Sequence, residues 1–375
     1  MLERKIALVL NGGGARGSYQ SGVIRALYEI IKKDQNLFQI ITGNSAGAIN
    51  AIFLAGSARD WGSATQYLID LWMRIKPEDV IDVSQYTMTQ MGAKWVKGSF
   101  LKSERDGEIL NSFFNTDPLK KLINREIDFN EIHQLIQEEL LTGVSISTTN
   151  YFSGSNVIFY DAAKTVKDWT KKDRLTIKTE INCDHVMGSS AIPLFFPPTK
   201  IGNSYFGDGC IRQVTPLSPA IHMGAQKIIT IGIRHKNSTD LIKKMIDSNT
   251  DSPQISQIIG VMLNSIFLDS LEVDVDRLQK TNIMVDIMGK NAPWRNIPII
   301  SIVPSRDLGL MTNELDKKLP FMMRFILKNF GVSGTSGLEL LSYLAFDSSY
   351  TTQVCELGYN DTMLRKKEIL DFIDS

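Results

Sequence analysis

Short apolar runs alternate with helically spaced ones through the first sixty residues. "KIALVL" (5–10) is a continuous apolar run ending in glycines, the pattern of a strand buried on both faces. Residues 18–33 carry Val23, Leu27 and Ile30 at helical intervals, with Ser18 as a candidate cap and Lys32 and Lys33 suiting the carboxyl end. "FQIITG" (38–43) reads as a second buried strand, and "SAGAINAIFLAGS" (45–57) as a small-residue helix packed closely on a neighbour. Strand, helix, strand, helix predicts a parallel sheet with right-handed crossovers. Residues 58–138 read as mostly helical and amphipathic, with Trp61, Trp72 and Trp95 spaced through them. Strand signals return at 141–150, 156–161, around 200–209 and at 227–233. Beyond 234 the pattern is mainly helical, interrupted by "IPIISIVPS" at 297–305. The expected fold is an α/β three-layer sandwich, with a mostly parallel central sheet flanked by helices. Its main domain is expected over 1–235, and a mainly helical region, 236–375, packs on or continues the same core.

Charge and cysteine content narrow the partners. Lys plus Arg equals Asp plus Glu at 41 each, so no global field steers the chain to nucleic acid or to an anionic bilayer, and no nucleic-acid partner is expected. Cys183, Cys210 and Cys355 lie far apart without a CxxC pair, which argues against a disulfide framework or a zinc knuckle and fits a reducing compartment. The apolar run Ile6–Leu10 is shorter than the roughly 7 residues of a signal-peptide core. No apolar stretch approaches the roughly 18 residues a spanning helix needs. A cytoplasmic protein is expected, with peripheral membrane contact; secretion without a signal stays open.

Residues 11–17, "NGGGARG", hold the spacing Gly12-x-Gly14-x-x-Gly17. A P-loop would require lysine after the last glycine, where Ser18 stands. A dinucleotide site would require an acid about 20 positions on, at the end of the second strand. That strand instead ends in Gly43-Asn44-Ser45-Ala46-Gly47, a G-x-S-x-G pattern in strand–turn–helix context. A serine on such a turn points its hydroxyl outward, and the following helix aims its N–H groups at developing negative charge. The glycine loop then reads as an oxyanion hole, its backbone amides converging beside the serine. For a base, His222 or His235 follows the serine in the order of a Ser-His-Asp triad esterase, and Asp208 of "YFGDGC" is the stronger alternative.

Taken together, "GGGARG" (12–17), "GNSAG" (43–47), "SSAIPLFFPP" (189–198) and "DGC" (208–210) resemble, in order, the motifs of the patatin-like phospholipases. The closing "LLSYLAFDSSYTTQVCELGYND" also looks like the end of stand-alone bacterial members. The resemblance implies that 1–235 is the catalytic domain, that Ser45 is the nucleophile, and that Asp208 is its base in a dyad without histidine. It implies an oxyanion hole from Gly12, Gly13, Gly14, Ala15, Arg16 and Gly17, with Arg16 holding the loop or meeting a phosphate. It implies no cofactor and no metal. Cys210, beside Gly209 in the base turn, departs from the family's usual glycine or alanine, and activity sensitive to alkylation is expected there. The implied substrate is a phospholipid or other acyl ester, cleaved through an acyl-enzyme; the need for an activating protein stays open.

Acyl-binding surface is sought in "AIPLFFPP" (191–198) and in the Met- and Phe-rich 319–331 with Arg324 and Lys328. The basic run 164–178 is a candidate headgroup contact or a solvated face. A dinucleotide-binding oxidoreductase and a catalytically silent lipid-binding scaffold are the remaining alternatives.

Overall fold

The computed structural model describes residues 5–32, 36–84, 112–170, 174–235, 252–312, 315, 318–332 and 337–375. Its strands are β1 (Ile6–Leu10), β2 (Phe38–Gly43), β3 (Gly143–Asn150), β4 (Asn156–Ala162), β5 (Arg174–Lys178), β6 (Thr199–Ile201), β7 (Ser204–Asp208), β8 (Lys227–Ile231) and β9 (Ile299–Ile302). They form one sheet with the order β5-β4-β3-β2-β1-β8-β9, while β7 pairs with both β3 and β6. Pairing is parallel except at β3–β4, β3–β7 and β6–β7. The first half contains helices α1 (Ser18–Ile31), α2 (Ala46–Gly56), α3 (Trp61–Arg74), α4 (Pro77–Val80), α5 (Asp117–Glu126), α6 (Phe129–Gln137) and α7 (Cys183–Ser189). The second contains α8 (Ser218–His222), α9 (Ile255–Phe267), α10 (Asp269–Met288), α11 (Phe321–Asn329), α12 (Leu338–Leu344), α13 (Ser348–Leu364) and α14 (Lys366–Asp374).

The sheet is covered on both faces, and β1 shows why its sequence is apolar throughout. Ile6, Leu8 and Leu10 join one core with α1, α2, α9 and α12, while Ala7 and Val9 join a second with α8 and α10. A strand with two dry faces cannot alternate polar and apolar residues. The C-terminal region is built into these cores. β9 extends the sheet beside β8, and α13 lies so close to α1 that a Cβ on Gly22 would stand 1.9 Å from the Cys355 carbonyl oxygen. The chain is therefore an α/β layered fold with a mostly parallel central sheet and a helical C-terminal part.

One local expectation is corrected, and one run holds an element that sequence reading did not assign. Ser18 is the first residue of α1, behind a short 3-10 turn over Gly14–Gly17, and its hydroxyl donates to the Ala15 carbonyl at 2.7 Å, so it does not cap the helix. The basic run 164–178 contains β5, an edge strand whose charged residues suit an unpaired edge. Trp95, Lys171, Lys172 and Asp173, and the stretch just after the expected boundary at 235, lie outside the described residues.

Candidate active site

The register of β3 brings together two residues 163 positions apart in sequence. β2 runs along one edge of β3 and ends with Gly43 opposite Ile146. β7 takes over the same edge from the opposite direction and ends with Asp208 opposite Thr148. Two rows on a strand are separated by about 7 Å. Ser45, two residues beyond Gly43, thus enters the gap that Asp208 closes from the other side. The intervening row is Ser147, whose carbonyl oxygen would stand 2.1 Å from a Cβ on Gly209.

Ser45 sits at φ 54°, ψ −129°, a backbone conformation that L-residues rarely adopt and that marks a strained turn. The turn is tight because α2 starts immediately at Ala46 and doubles back on β1: a Cβ on Gly47 would lie 2.4 Å from the Leu10 carbonyl oxygen. Asn44 is buried and its N–H donates to that same carbonyl at 3.1 Å. The end of α7 and the segment after it support both ends of the site. The Ser45 N–H donates to Ser189 Oγ at 3.1 Å, Ser190 Oγ donates to the Ser45 carbonyl at 3.4 Å, and the Asp208 N–H donates to the Ala191 carbonyl at 3.2 Å. The expected small-residue segment ahead of the aspartate therefore fixes backbone on both sides of the gap.

Asp208 is fully buried, and burial pushes its carboxyl up to about 7 against the opposing pull of the Ser45 hydroxyl and the Cys210 N–H. Oδ1 accepts from Cys210 N at 2.9 Å. Oδ2 and Ser45 Oγ are near enough to interact, yet both are buried without a fully formed hydrogen bond among the described residues. Catalytic hydrogen bonds are often long before substrate arrives and tighten in the complex. The four histidines make their contacts elsewhere. His133 bonds Asp161, His185 faces the Asn182 N–H, and His235 contacts the Pro304 carbonyl. His222 is exposed and stacks on Trp169, whose ring belongs to the core on the other side of the sheet.

The glycine loop leaves β1 directly over this gap. A Cβ on Gly12 would stand 2.5 Å from Cys210 Sγ and 2.6 Å from Ser45 Cβ, so the loop, the elbow and the base turn meet with no space between them. The N–H groups of Gly13 and Gly14 find no acceptor among the described residues. Gly14, at φ 56°, approaches α12 so closely that a Cβ would lie 2.1 Å from the Tyr343 carbonyl oxygen. Ala15 is buried, and Gly17 accepts from Asn50 Nδ2 at 3.1 Å. Arg16 is buried and turned into α12: it donates to Ser342 Oγ at 2.8 Å, pairs with Glu339 at 2.5 Å, and lies 4.3 Å from the centre of the Tyr343 ring. Its donors hold the loop. That leaves the phosphate-meeting alternative without support.

Beside Ser45 opens a narrow apolar slot with a cavity volume of about 50 Å³. Ala46, Ile49 and Phe53 of α2, Leu68 and Trp72 of α3, and Leu119, Leu122 and Ile123 of α5 line it, with Ile192 and Phe196 closing one side. Ligand slots are mostly apolar, as this lining is. Most of this lining lies outside the two segments where sequence reasoning sought it. Of 191–198, Ile192 and Phe196 do face the slot, whereas Phe195 packs on Phe113 and Phe114. No described residue of α11 lines it. The helical periodicity of 61–74 and 117–126 was the only signal, and it cannot distinguish a packed face from a hollow one. Cys210 is buried and its thiol is pushed up by burial and by Asp208, which opposes ready alkylation.

Three solved structures resemble the chain at low overall similarity. VipD from Legionella pneumophila is 14% identical with a TM-score of 0.36, the match covering 98% of this chain and 67% of that one. Human GIVD cytosolic phospholipase A2 is 12% identical with a TM-score of 0.39, covering 99% and 58%. The type III effector ExoU is 14% identical with a TM-score of 0.30, covering 95% and 54%. The chain spans only about half to two thirds of the length of these structures. The Patatin-like phospholipase family profile matches residues 8–221, more than half of the 375, and takes in the glycine loop, the elbow and the base turn. The chain belongs to the patatin-like phospholipase family.

Proposed function

We propose that the protein is a serine lipid acyl hydrolase that cleaves phospholipid or related acyl esters through a Ser45–Asp208 dyad. The observation that carries this reading is the head-on arrival of β2 and β7 on one edge of β3, beneath the glycine loop and at the mouth of an apolar slot. Asp208 takes the Ser45 proton as Oγ attacks the ester carbonyl, and the carbonyl electrons collect on oxygen. The Gly13 and Gly14 N–H groups, with the amino end of α2, receive that negative charge. Collapse expels the alcohol, which recovers the proton from Asp208 and leaves an acyl group on Ser45. Water, deprotonated by Asp208, then releases the fatty acid and restores the serine. Arg16 acts through the loop it anchors, and residues 1–235 work with the C-terminal region as one catalytic unit.

The test is incubation with mixed phospholipids, reading released fatty acid for the wild type, Ser45→Ala and Asp208→Asn. Release by the wild type alone is expected. Full activity in Asp208→Asn, with loss on replacing His222 or His235, would transfer the reading to a triad esterase.

A further inference from the structure

We propose that Asn50 and Gln20 are positioning residues for the glycine loop, oriented by the indole of Trp72. This rests on the acyl-hydrolase reading, in which the loop receives the oxyanion, and adds which side chains hold it in shape. Asn50 of α2 and Gln20 of α1 are fully buried, and their amides join: Asn50 Nδ2 donates to Gln20 Oε1 at 2.9 Å. The pair reaches both ends of the loop. Gln20 Nε2 donates to the Asn11 carbonyl at 2.6 Å, just past the end of β1. Asn50 Nδ2 donates to the Gly17 carbonyl at 3.1 Å, just ahead of α1. On the far side, Trp72 Nε1 donates to Asn50 Oδ1 at 2.9 Å. Every polar atom of the two amides is thereby paired.

The direction of this relay is forced from both of its ends. An indole nitrogen only donates, and a backbone carbonyl only accepts. With Trp72 on one side and the Gly17 and Asn11 carbonyls on the other, each amide has a single orientation that pairs donors with acceptors. Turning the Asn50 amide over would set its NH2 against the indole N–H and its oxygen against the Gly17 carbonyl. Trp72 is itself held, because Thr351 Oγ1 of α13 donates to its backbone carbonyl at 2.7 Å. A Cβ on Gly17 would stand 3.6 Å from the Trp72 ring, so the indole lies against the end of the loop as well as against Asn50. Glycine has the most backbone freedom to lose, so a run of three takes its shape from its anchors. Arg16 anchors the loop from α12, and the two amides anchor its ends from α1 and α2. A buried polar network with every member paired fixes one arrangement, which apolar side chains of the same volume would not do.

Steady-state kinetics on a water-soluble short-chain ester reads the loop apart from the slot wall, which Asn50 and Trp72 also line. Asn50→Ala should lower kcat about 100-fold at unchanged KM, close to the loss of one oxyanion donor. Trp72→Phe, which keeps an aromatic ring and removes the N–H, should lower kcat about tenfold. Asn50→Ala/Gln20→Ala should be within about twofold of the slower single variant, because the two amides act as one unit. Amide hydrogen exchange over residues 13–18 should quicken in each variant, while β1 and β8 keep the exchange of the parent, which shows that the fold is intact. Parental kcat on the short ester in both Asn50→Ala and Trp72→Phe overturns the proposal, as do losses confined to KM or losses that multiply in the double variant. If Asn50→Ala exchanges faster throughout the chain, Trp72→Phe decides by the same criteria. Turnover surviving in Ser45→Ala would instead sink the dyad reading and leave the exchange result standing as the test of the relay.

Discussion

Replacing Asp208 by asparagine should inactivate the enzyme and stabilise it, in a pH-dependent way. The carboxyl titrates near 7 in the folded chain and near 3.8 unfolded, because ionisation inside the site is penalised by burial. Below about pH 4 the group is protonated in both states and burial costs little. Between about 4 and 7 the unfolded chain releases a proton that the folded chain keeps, so stability falls as pH rises through that window. Above 7 the full difference has been lost, about 4 kcal/mol at 1.36 kcal/mol per pH unit. Asparagine fills the same volume and never ionises, so the variant escapes that loss. With roughly 2.1 cal/mol/K of unfolding entropy per residue, 4 kcal/mol corresponds to about 5 °C in apparent Tm for this chain. Melting curves at pH 4, 6 and 8 should therefore show a gap between variant and wild type that widens with pH. Activity should fall about 10³-fold in the same variant. A gap that is constant across pH, or that narrows upward, would refute the assignment of a buried Asp208 carboxyl whose ionisation is penalised.

Four other outcomes follow from the same geometry. In the wild type, kcat/KM should rise with pH through a midpoint near 7 as Asp208 ionises, checked with a substrate whose own chemistry is pH-independent. Gly12→Ala forces a Cβ to within 2.6 Å of Ser45 Cβ and should cut turnover by about 100-fold with substrate binding largely kept, read as a kcat effect at unchanged KM. Arg16→Ala leaves Glu339 without its buried partner and frees the loop, which should cost about 3 kcal/mol in denaturant unfolding; Glu339→Gln in the same chain should recover part of it. Leu122→Trp fills the slot along α5, so long acyl esters should lose at least tenfold in kcat/KM relative to short ones, measured across a chain-length series.

The sheet was legible because its strands are short and apolar on both faces; β1 and β2 end within a residue of where the apolar runs stop. β5 was hidden because its sequence, Arg174 to Lys178, is that of a charged edge strand, which resembles solvated coil. The elbow, the loop and the base turn could be read from glycine spacing, since each requires a close backbone approach that only glycine allows. The meeting of Ser45 with Asp208 could be expected only from the combination of motifs, because register on β3 is a tertiary fact. The slot was not legible, since α3 and α5 show the same helical periodicity whether their apolar faces touch or leave a gap.

The clamp on the glycine loop comes from a helix more than three hundred residues downstream: Arg16 reaches Glu339 and Ser342, and Gly14 rests on Tyr343. During translation Ser45 and Asp208 are therefore made long before the part that braces the loop above them. A nascent chain stalled short of residue 338 carries the Ser45 elbow but lacks the brace of the loop above it. Bracing of the glycine loop thus waits until the chain has been made through Ser342.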